Sequence, residues 1–311
     1  MGERCKICNQ IFEKEKEFNY HLRKHAITIA AYYQKYYPRH DLHTNEIILF
    51  KNKEFYFTSD FNNKNSLRYW LGKQEKEAQR DYCLKLLQVR KDRKKIKYAP
   101  CQAELRTLMI PAINYLDEVF GGYYQTCEQM GLEVKYETRS EPIKEYELEE
   151  DPVVFIDTRE KRPLRFKKFK TEVRGLKYGD YALSSKKDTC NLHIERKSLS
   201  DFYATLSGGF ERFKRELDRS VNEYANMVVV VESKIDKVAS FKYTRSVFNK
   251  VKTSHDYIFR NMREIIQEYP NVQFLFVDGR KEAVRIIEKL FSCKCEYIKT
   301  DLQLEYDLKR L

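Results

Sequence analysis

The apolar residues of this chain keep two different rhythms. In the C-terminal half they fall in short runs separated by helical stripes. Leu192 and Ile194 alternate with polar neighbours across residues 190–197, the period of a half-buried strand. Residues 227–231 are uninterruptedly apolar and predict a strand buried on both faces, and residues 272–277 predict another. Between these runs, Phe210, Phe213, Leu217, Val221 and Tyr224 mark one face of a helix, a second helix covers about 248–269, and a third bears Val284, Ile287 and Leu290. Ser198, with Asp201 three residues on, can cap a helix. Gly175 and Gly179 stand between apolar positions in 173–183 and suggest a bent strand or hairpin. Residues 184–189 then read as a slightly enlarged hairpin. Strands alternating with helices predict an α/β fold, a central mixed sheet flanked by helices, over residues 152–311.

The N-terminal half is less regular. Residues 27–37 predict a helix stopped by Pro38. Residues 47–50 and 55–57 flank a polar turn at 51–54 and suggest a small hairpin. A charged helix follows from about 74 to 97, completing a mixed α+β connector over 28–98. Two helices are expected in a small module at 99–136, with Leu108, Ile110, Leu116 and Phe120 as its apolar stripe. Residues 137–151 lack helical period, end in Glu147, Glu149, Glu150 and Asp151, and read as an acidic linker.

Charge narrows the partners. The 311 residues carry a net charge of +12 with a pI near 9.1, which favours a polyanion through counterion release. Charge alone does not separate DNA from RNA or from an acidic protein. No apolar stretch is long enough to span a bilayer, and the polar N-terminus leaves no room for a signal peptide, so a soluble intracellular protein without a membrane partner is expected. The densest basic run is Arg90, Lys91, Arg93, Lys94, Lys95 and Lys97. It would either track a phosphate backbone or form a solvated helix face.

The first residues hold a spacing with its own chemistry. Cys5 and Cys8 are followed by twelve residues, then His21, three residues and His25, the spacing of a C2H2 zinc finger of ββα form. Phe12 and Phe18 occupy its core positions, and so short a unit would take folding free energy from Zn²⁺. Its groove-facing positions would be Lys14, Glu17 and Tyr20, reading about three base pairs. A finger that binds protein, or only stabilises the terminus, is the alternative. The remaining cysteines, Cys83, Cys101, Cys127, Cys190, Cys293 and Cys295, show no disulfide spacing, and Cys293 and Cys295 read as alternate strand positions.

The strongest chemistry lies in an ordered set of charged residues: Asp157, Arg159, Glu160, Asp180, Glu195 and Lys197. Cutting a phosphodiester takes a bound divalent metal, an oriented water and neutralisation of charge on the phosphate. A strand over 190–197 puts Glu195 and Lys197 on one face, and Asp180 from a neighbouring strand could share a hard cation, Mg²⁺ or Mn²⁺, with Glu195. Lys197 would pair with the phosphate or help activate water. Taken singly, each residue is as well explained as solvated surface.

The strings Val-Phe-Ile-Asp157-Thr-Arg159-Glu160, Gly179-Asp180-Tyr181 and Glu195-Arg196-Lys197-Ser-Leu-Ser-Asp201 resemble the motifs of the XPF-type (ERCC) structure-specific endonucleases, a branch of the PD-(D/E)XK nucleases. The likeness continues through residues 210–217 and covers roughly 152–295. It implies Asp180 and Glu195 as metal ligands with the Arg196 carbonyl as a third, Lys197 as catalytic lysine, Asp157, Arg159 and Glu160 completing the site, and Asp201 in support. It also implies DNA as substrate, branched or flapped, and pairing with a second copy or a partner protein through the nuclease domain. The paired helix-hairpin-helix modules common in that family are not found before Leu311, so flap preference is not simply inherited. A shorter likeness, of residues 120–132 to helical repeats beside homing endonucleases, implies instead a sequence-directed cut on ordinary duplex. A non-cleaving DNA-binding or recruitment protein with the nuclease fold is the third reading.

Overall fold

A computed structural model describes residues 2–147, 152–184, 190–240 and 254–311. The enlarged hairpin expected at 185–189, the end of the acidic linker and the start of the helix expected from 248 lie outside these residues. The chain forms two compact units, one of residues 1–89 with 109–111, the other of 90–108 with 112–311.

The first unit opens with a ββα element: β1 (Glu3–Arg4) pairs antiparallel with β2 (Ile11–Phe12), and α1 (Glu15–Leu22) follows. Then come α2 (Ile29–Tyr36), α3 (Lys53–Thr58), α4 (Lys64–Leu71) and α5 (Lys76–Lys94), whose last turn belongs to the second unit. Phe18 and Leu22 of α1 pack with Tyr32, Tyr33, Ile48 and Tyr56 in one cluster. The ββα element therefore does not rest on its own small core. The hairpin expected over 47–57 is not formed. Asn52 accepts a hydrogen bond from Phe55 N at 2.8 Å and caps α3, so a side-chain-to-backbone bond takes the residues read as a second strand into a helix.

The second unit is built on a mixed sheet. Its strands are β3 (Val153–Asp157), β4 (Lys170–Arg174), β5 (Tyr181–Ser184), β6 (Leu192–Lys197), β7 (Asn226–Val231) and β8 (Val272–Phe276), in the order β4-β3-β5-β6-β7-β8. The expected bent strand or hairpin over 173–183 is instead two strands on opposite sides of β3: β4 pairs with it parallel and β5 antiparallel. β6, β7 and β8 run parallel, and Met227 to Val231 are buried as their unbroken apolar run requires.

Before the sheet lie α6 (Gln102–Arg106), α7 (Ile113–Phe120) and α8 (Tyr123–Gln129), three short helices where two were expected, because Pro111 and the left-handed Gly121 divide the stretch. Around the sheet are α9 (Leu199–Thr205), α10 (Phe210–Asn222), α11 (Ile235–Ser240), α12 (His255–Glu268), α13 (Arg280–Ser292) and α14 (Leu302–Asp307). Ser198 caps α9, accepting from Asp201 N at 3.2 Å, while Asp201 accepts from the Ser198 hydroxyl at 2.6 Å. Along α10, Phe210, Phe213 and Leu217 are buried as predicted, but Val221 and Tyr224 are exposed, and Ser220 takes the inner position near the helix end. Cys293 ends α13 and Cys295 lies in a 3-10 turn rather than a strand. Cys295 pairs with Cys190 across a Cα separation of 5.4 Å, a disulfide whose partners stand 105 positions apart and so escaped a reading based on spacing.

Register sorts the sheet into two faces. Val154, Ile156, Tyr181, Ile194, Val228, Val230 and Leu275 share one face and pack under Ala283, Ile286, Ile287 and Leu290 of α13. Asp157, Glu195, Lys197, Val229 and Phe274 share the other, and there Phe202 of α9 meets Phe274 and Phe276. A strand's period of two thus sets Asp157 of β3 and Glu195 and Lys197 of β6 on the face opposite the α13 core.

Candidate active site

β6 carries the alternation that makes the site. Glu195 and Lys197 project from one face, Arg196 from the other, and the Lys197 ammonium donates to the Glu195 carboxylate. Asp180 lies just before β5, where Gly179 adopts a φ of 70°. A Cβ there would stand 3.1 Å from Ile194 O, so backbone conformation and close approach both favour glycine. Asp180 accepts from Arg196 N at 2.8 Å, and its own N–H donates to Ile194 O at 2.8 Å, which brings Asp180 to the edge of β6.

These groups titrate as a cluster. Burial, then the neighbouring Glu195 carboxylate, pushes the Asp180 carboxyl up to about 8. Burial likewise raises Glu195, against the pull of Lys197, while Lys197, lowered by burial, is raised on balance by Glu195, Asp180 and Glu216 together. One half-buried and one buried carboxyl thus face one ammonium.

Asp157 is the counter-example within the same face. It is buried, which alone would raise it, yet it is held below the ordinary range because it accepts from Arg159 Nε at 2.6 Å, Leu176 N at 2.7 Å and Arg159 N at 2.8 Å. Asp157 therefore fixes the loop after β3 and aims Arg159, whose guanidinium is 61% exposed. Arg159 also donates to Leu176 O at 3.1 Å, and the Asp157, Glu216 and Glu195 carboxylates together favour its charged form.

Glu160 and Arg196 belong to the opposite face. Arg196 donates from Nε to Glu160 at 3.1 Å and pairs with Glu232 at 2.9 Å, and Glu232 also meets Arg280 at 3.2 Å. With side-chain exposures of 9% for Arg196 and 6% for Glu160, this is an internal ionic brace behind the strand ends. Asp201 is an exposed helix cap and does not join the cluster.

Glu216 of α10 was not singled out from sequence. It accepts from Gly179 N at 3.1 Å and acts electrostatically on Glu195, Lys197 and Arg159. Its signal was present: Glu216 adjoins Leu217 on the apolar edge of an amphipathic helix, where a carboxylate is uncommon.

The donor chemistry of Asp180 and Glu195 fits a hard divalent cation: the donor atoms are oxygens, and two neighbouring carboxyls held above their ordinary range are a pair that a cation beside them would allow to ionise together. A different donor set lies in the first unit. Among the described residues, Cys5, Cys8, His21 and His25 are the group of metal-ligating side chains that converges, with one donor atom from each within 4.8 Å of the others. Cys8 Sγ is 3.2 Å and His25 Nε2 3.1 Å from His21 Nε2. Burial and the neighbouring His25 lower His21, favouring the neutral imidazole that binds metal. Two sulfurs and two imidazoles at these separations fit Zn²⁺.

The residues predicted to meet DNA divide. Lys14, Glu17 and Tyr20 are exposed on α1. Arg93, Lys94 and Lys95 are exposed as well, but Arg90 has a side chain only 11% exposed that turns to the buried Glu104 at 3.8 Å, and Lys91 donates to Met130 O. The 90–97 run is thus partly consumed by packing. No helix among the described residues is long and apolar enough to cross a membrane.

Fold and site define an α/β unit with an acidic, lysine-bearing sheet face. Its residues 156–290 match the ERCC4 domain, so the XPF-type likeness read from the motifs holds at the level of that domain. Among solved structures, the chain is similar to XPF from Aeropyrum pernix, at 20% identity over 44% of this chain and 63% of that one, with a TM-score of 0.32. It is also similar to XPF from Aeropyrum pernix in complex with DNA, at 21% identity over 45% and 62%, with a TM-score of 0.33. The chain spans under two thirds of the length of either. No curated protein matches it.

Proposed function

We propose that this protein is a metal-dependent DNA endonuclease that acts on branched or flapped DNA. The observation that carries the reading is the pairing of Asp180 and Glu195 beside Lys197 on one sheet face, inside a segment that matches the ERCC4 domain. Asp180 and Glu195 would hold Mg²⁺ or Mn²⁺, with the Arg196 carbonyl as a third ligand. The bound ion would polarise the scissile phosphate and lower the pKa of its water.

The chain's own groups have separable tasks. Lys197, which donates to Glu195, would pair with the phosphate or help orient the attacking water. Arg159, aimed by Asp157, supplies a fixed positive charge for the oxygen that gains charge as the phosphate becomes pentavalent. Glu216 holds Gly179 N and so fixes the turn that delivers Asp180. The side chains of Glu160, Arg196 and Glu232 brace the strand ends from the opposite face.

The Cys5, Cys8, His21 and His25 cluster would hold Zn²⁺ and present Lys14, Glu17 and Tyr20 to a DNA groove, an accessory grip rather than the specificity of the whole.

Cleavage of labelled flap, fork, four-way junction and linear duplex DNA with Mg²⁺ tests the reading. Cutting of branched forms that Asp180→Ala and Lys197→Ala both abolish is the expected result. Binding without cutting of any form would turn the conclusion to a recruitment protein, and equal cutting of linear duplex at one sequence to a sequence-directed nuclease.

A further inference from the structure

The segment between the first two motifs, residues 161–177, holds eight Lys and Arg against a single acid, Glu172. Its pattern explains how that charge is displayed. Leu164, Phe166 and Phe169 point into the core under α13, while Arg165, Lys167 and Lys168 between them are exposed. Backbone anchors hold the loop still: Leu164 N donates to Tyr181 Oη at 2.9 Å, and Lys167 N and Lys168 N both donate to the buried Glu288 carboxylate, the latter at 3.0 Å. Lys161, Arg165 and Lys167 make no ion pair among the described residues.

The segment then becomes β4, every residue of which is exposed. No strand among the described residues pairs with the outer edge of β4. Parallel register puts Lys170 opposite Val153 and Arg174 opposite Asp157, so both lie on the sheet face that carries Asp157, Glu195 and Lys197. Arg174 packs over the Phe155 ring at 4.4 Å, and two residues later Leu176 N binds Asp157. Lys168 and Lys177 are neutralised by Glu145 and Glu223, and Glu172 shares the face of Lys170 and Arg174, so a net positive band, densest in loop 161–167, follows the sheet edge toward Asp157. At about 3.3 Å per residue, the five residues of β4 run about 16 Å, the length of about five base pairs at 3.4 Å each.

We infer that this edge, loop 161–169 with β4, is the track for the phosphate backbone of the DNA that enters the site. The inference rests on the nuclease reading above and adds the surface that positions its substrate. The partly internal 90–97 run is not needed for it. Charge complementarity and continuity with Asp157 argue for one nucleic-acid strand held along the edge. An apolar partner strand would meet β4 with a single exposed apolar side chain, Val173, among charges that resist such pairing.

The test is anisotropy of labelled forked and duplex DNA with the full chain over a range of salt concentrations. The triple variant Lys161→Ala, Arg165→Ala, Lys167→Ala should raise Kd about tenfold or more and flatten the plot of log K against log salt by about 2 to 3. The charge-preserving Lys161→Arg, Arg165→Lys, Lys167→Arg chain should bind within about twofold of wild type, since backbone tracking reads charge rather than shape. An unchanged Kd and slope in the alanine chain would overturn the inference while leaving the nuclease reading intact. So would equal loss in both variants, which would show that shape and not charge matters. A wild-type chain that binds no DNA would overturn the functional reading and this inference with it.

Discussion

Asp180 is half-buried and Asp301 buried in the same unit, and both carboxyls are held above the ordinary range, to about 8 and about 6. Their surroundings differ. Asp301 caps α14 and accepts from Gln102 N at 2.7 Å, Leu304 N at 3.1 Å and Tyr124 Oη at 3.1 Å, and none of these donors is charged. Burial raises it, and the hydrogen bonds offset part of that. Asp180 accepts one backbone bond and lies beside a buried carboxyl and an ammonium. The first arrangement joins α6 and α8 to α14 and is complete without a ligand. The second concentrates like charges that a purely structural site would keep apart. A displaced pKa thus marks burial in both places, and only the company of the group distinguishes a site from a joint.

The largest effect that would break this comparison is on catalysis. Asp180→Ala should lower cleavage by a hundredfold or more, because it removes a metal ligand, and should not lower the Tm of the metal-free protein, because it relieves repulsion with Glu195. Asp301→Ala should do the reverse. Three buried donors lose their acceptor, for a loss of about 2–4 kcal/mol read as a fall in denaturant midpoint, while the chain that remains folded keeps its metal affinity. If both variants shift stability alike, the distinction drawn between them fails.

Next in size is the brace on the far face. Arg196→Ala leaves Glu160 without its cation and Glu232 with Arg280 alone, a loss of up to about 3 kcal/mol by analogy with broken buried pairs. Arg196→Met at the same position with Glu160→Gln and Glu232→Gln should recover much of it. Chemical denaturation of the two chains checks the ordering, and equal instability would mean that packing of Arg196, not charge, holds the strand ends.

The cysteine and histidine cluster sharpens the contrast from outside that unit, since its ligands gather without buried like charges. A strong zinc chelator should remove hydrogen-exchange protection from residues 3–25. Protection in α2 should survive, because its Tyr32 and Tyr33 also pack on Ile48 and Tyr56. Loss of protection throughout the first unit would show that the metal organises the whole cluster.

What was legible in the sequence followed from local rules. The period of two in 190–197 placed Glu195 and Lys197 together, the unbroken run at 227–231 gave a central strand, and the Cys and His spacing predicted a converging quartet. What was not legible depended on distant partners or on competition at one residue. Nothing near Glu160 or Arg196 says that they brace each other across 36 positions, and the Cys190–Cys295 pair spans 105. Asn52 turned an apparent strand into a helix through a single hydrogen bond. The 161–177 band was obscured because its charge is interleaved with core residues, so no window of it reads as a basic run as dense as 90–97.

The last predicted effect isolates Asp301 by pH. Burial pushes the Asp301 carboxyl up to about 6 in the folded chain, from the ordinary 3.8 that it regains when unfolded. Below 3.8 both states keep the proton and its stabilising contribution is fully present. Between 3.8 and 6 the folded chain keeps a proton that the unfolded chain has lost, so this contribution falls as pH rises, by about 3 kcal/mol in all, and stays lost above 6. Asp157, held below its ordinary range, acts in the opposite sense but only below 3.8, where its stabilisation is lost as pH falls. Urea unfolding of wild type and the Asp301→Asn chain at intervals from pH 4.5 to 7 therefore isolates one group. The difference in stability between the two chains should change steadily up to about pH 6 and then level off. A difference that is constant with pH would mean that the three donors keep Asp301 ionised throughout, and that the two aspartates differ even in the sign of what burial does to them.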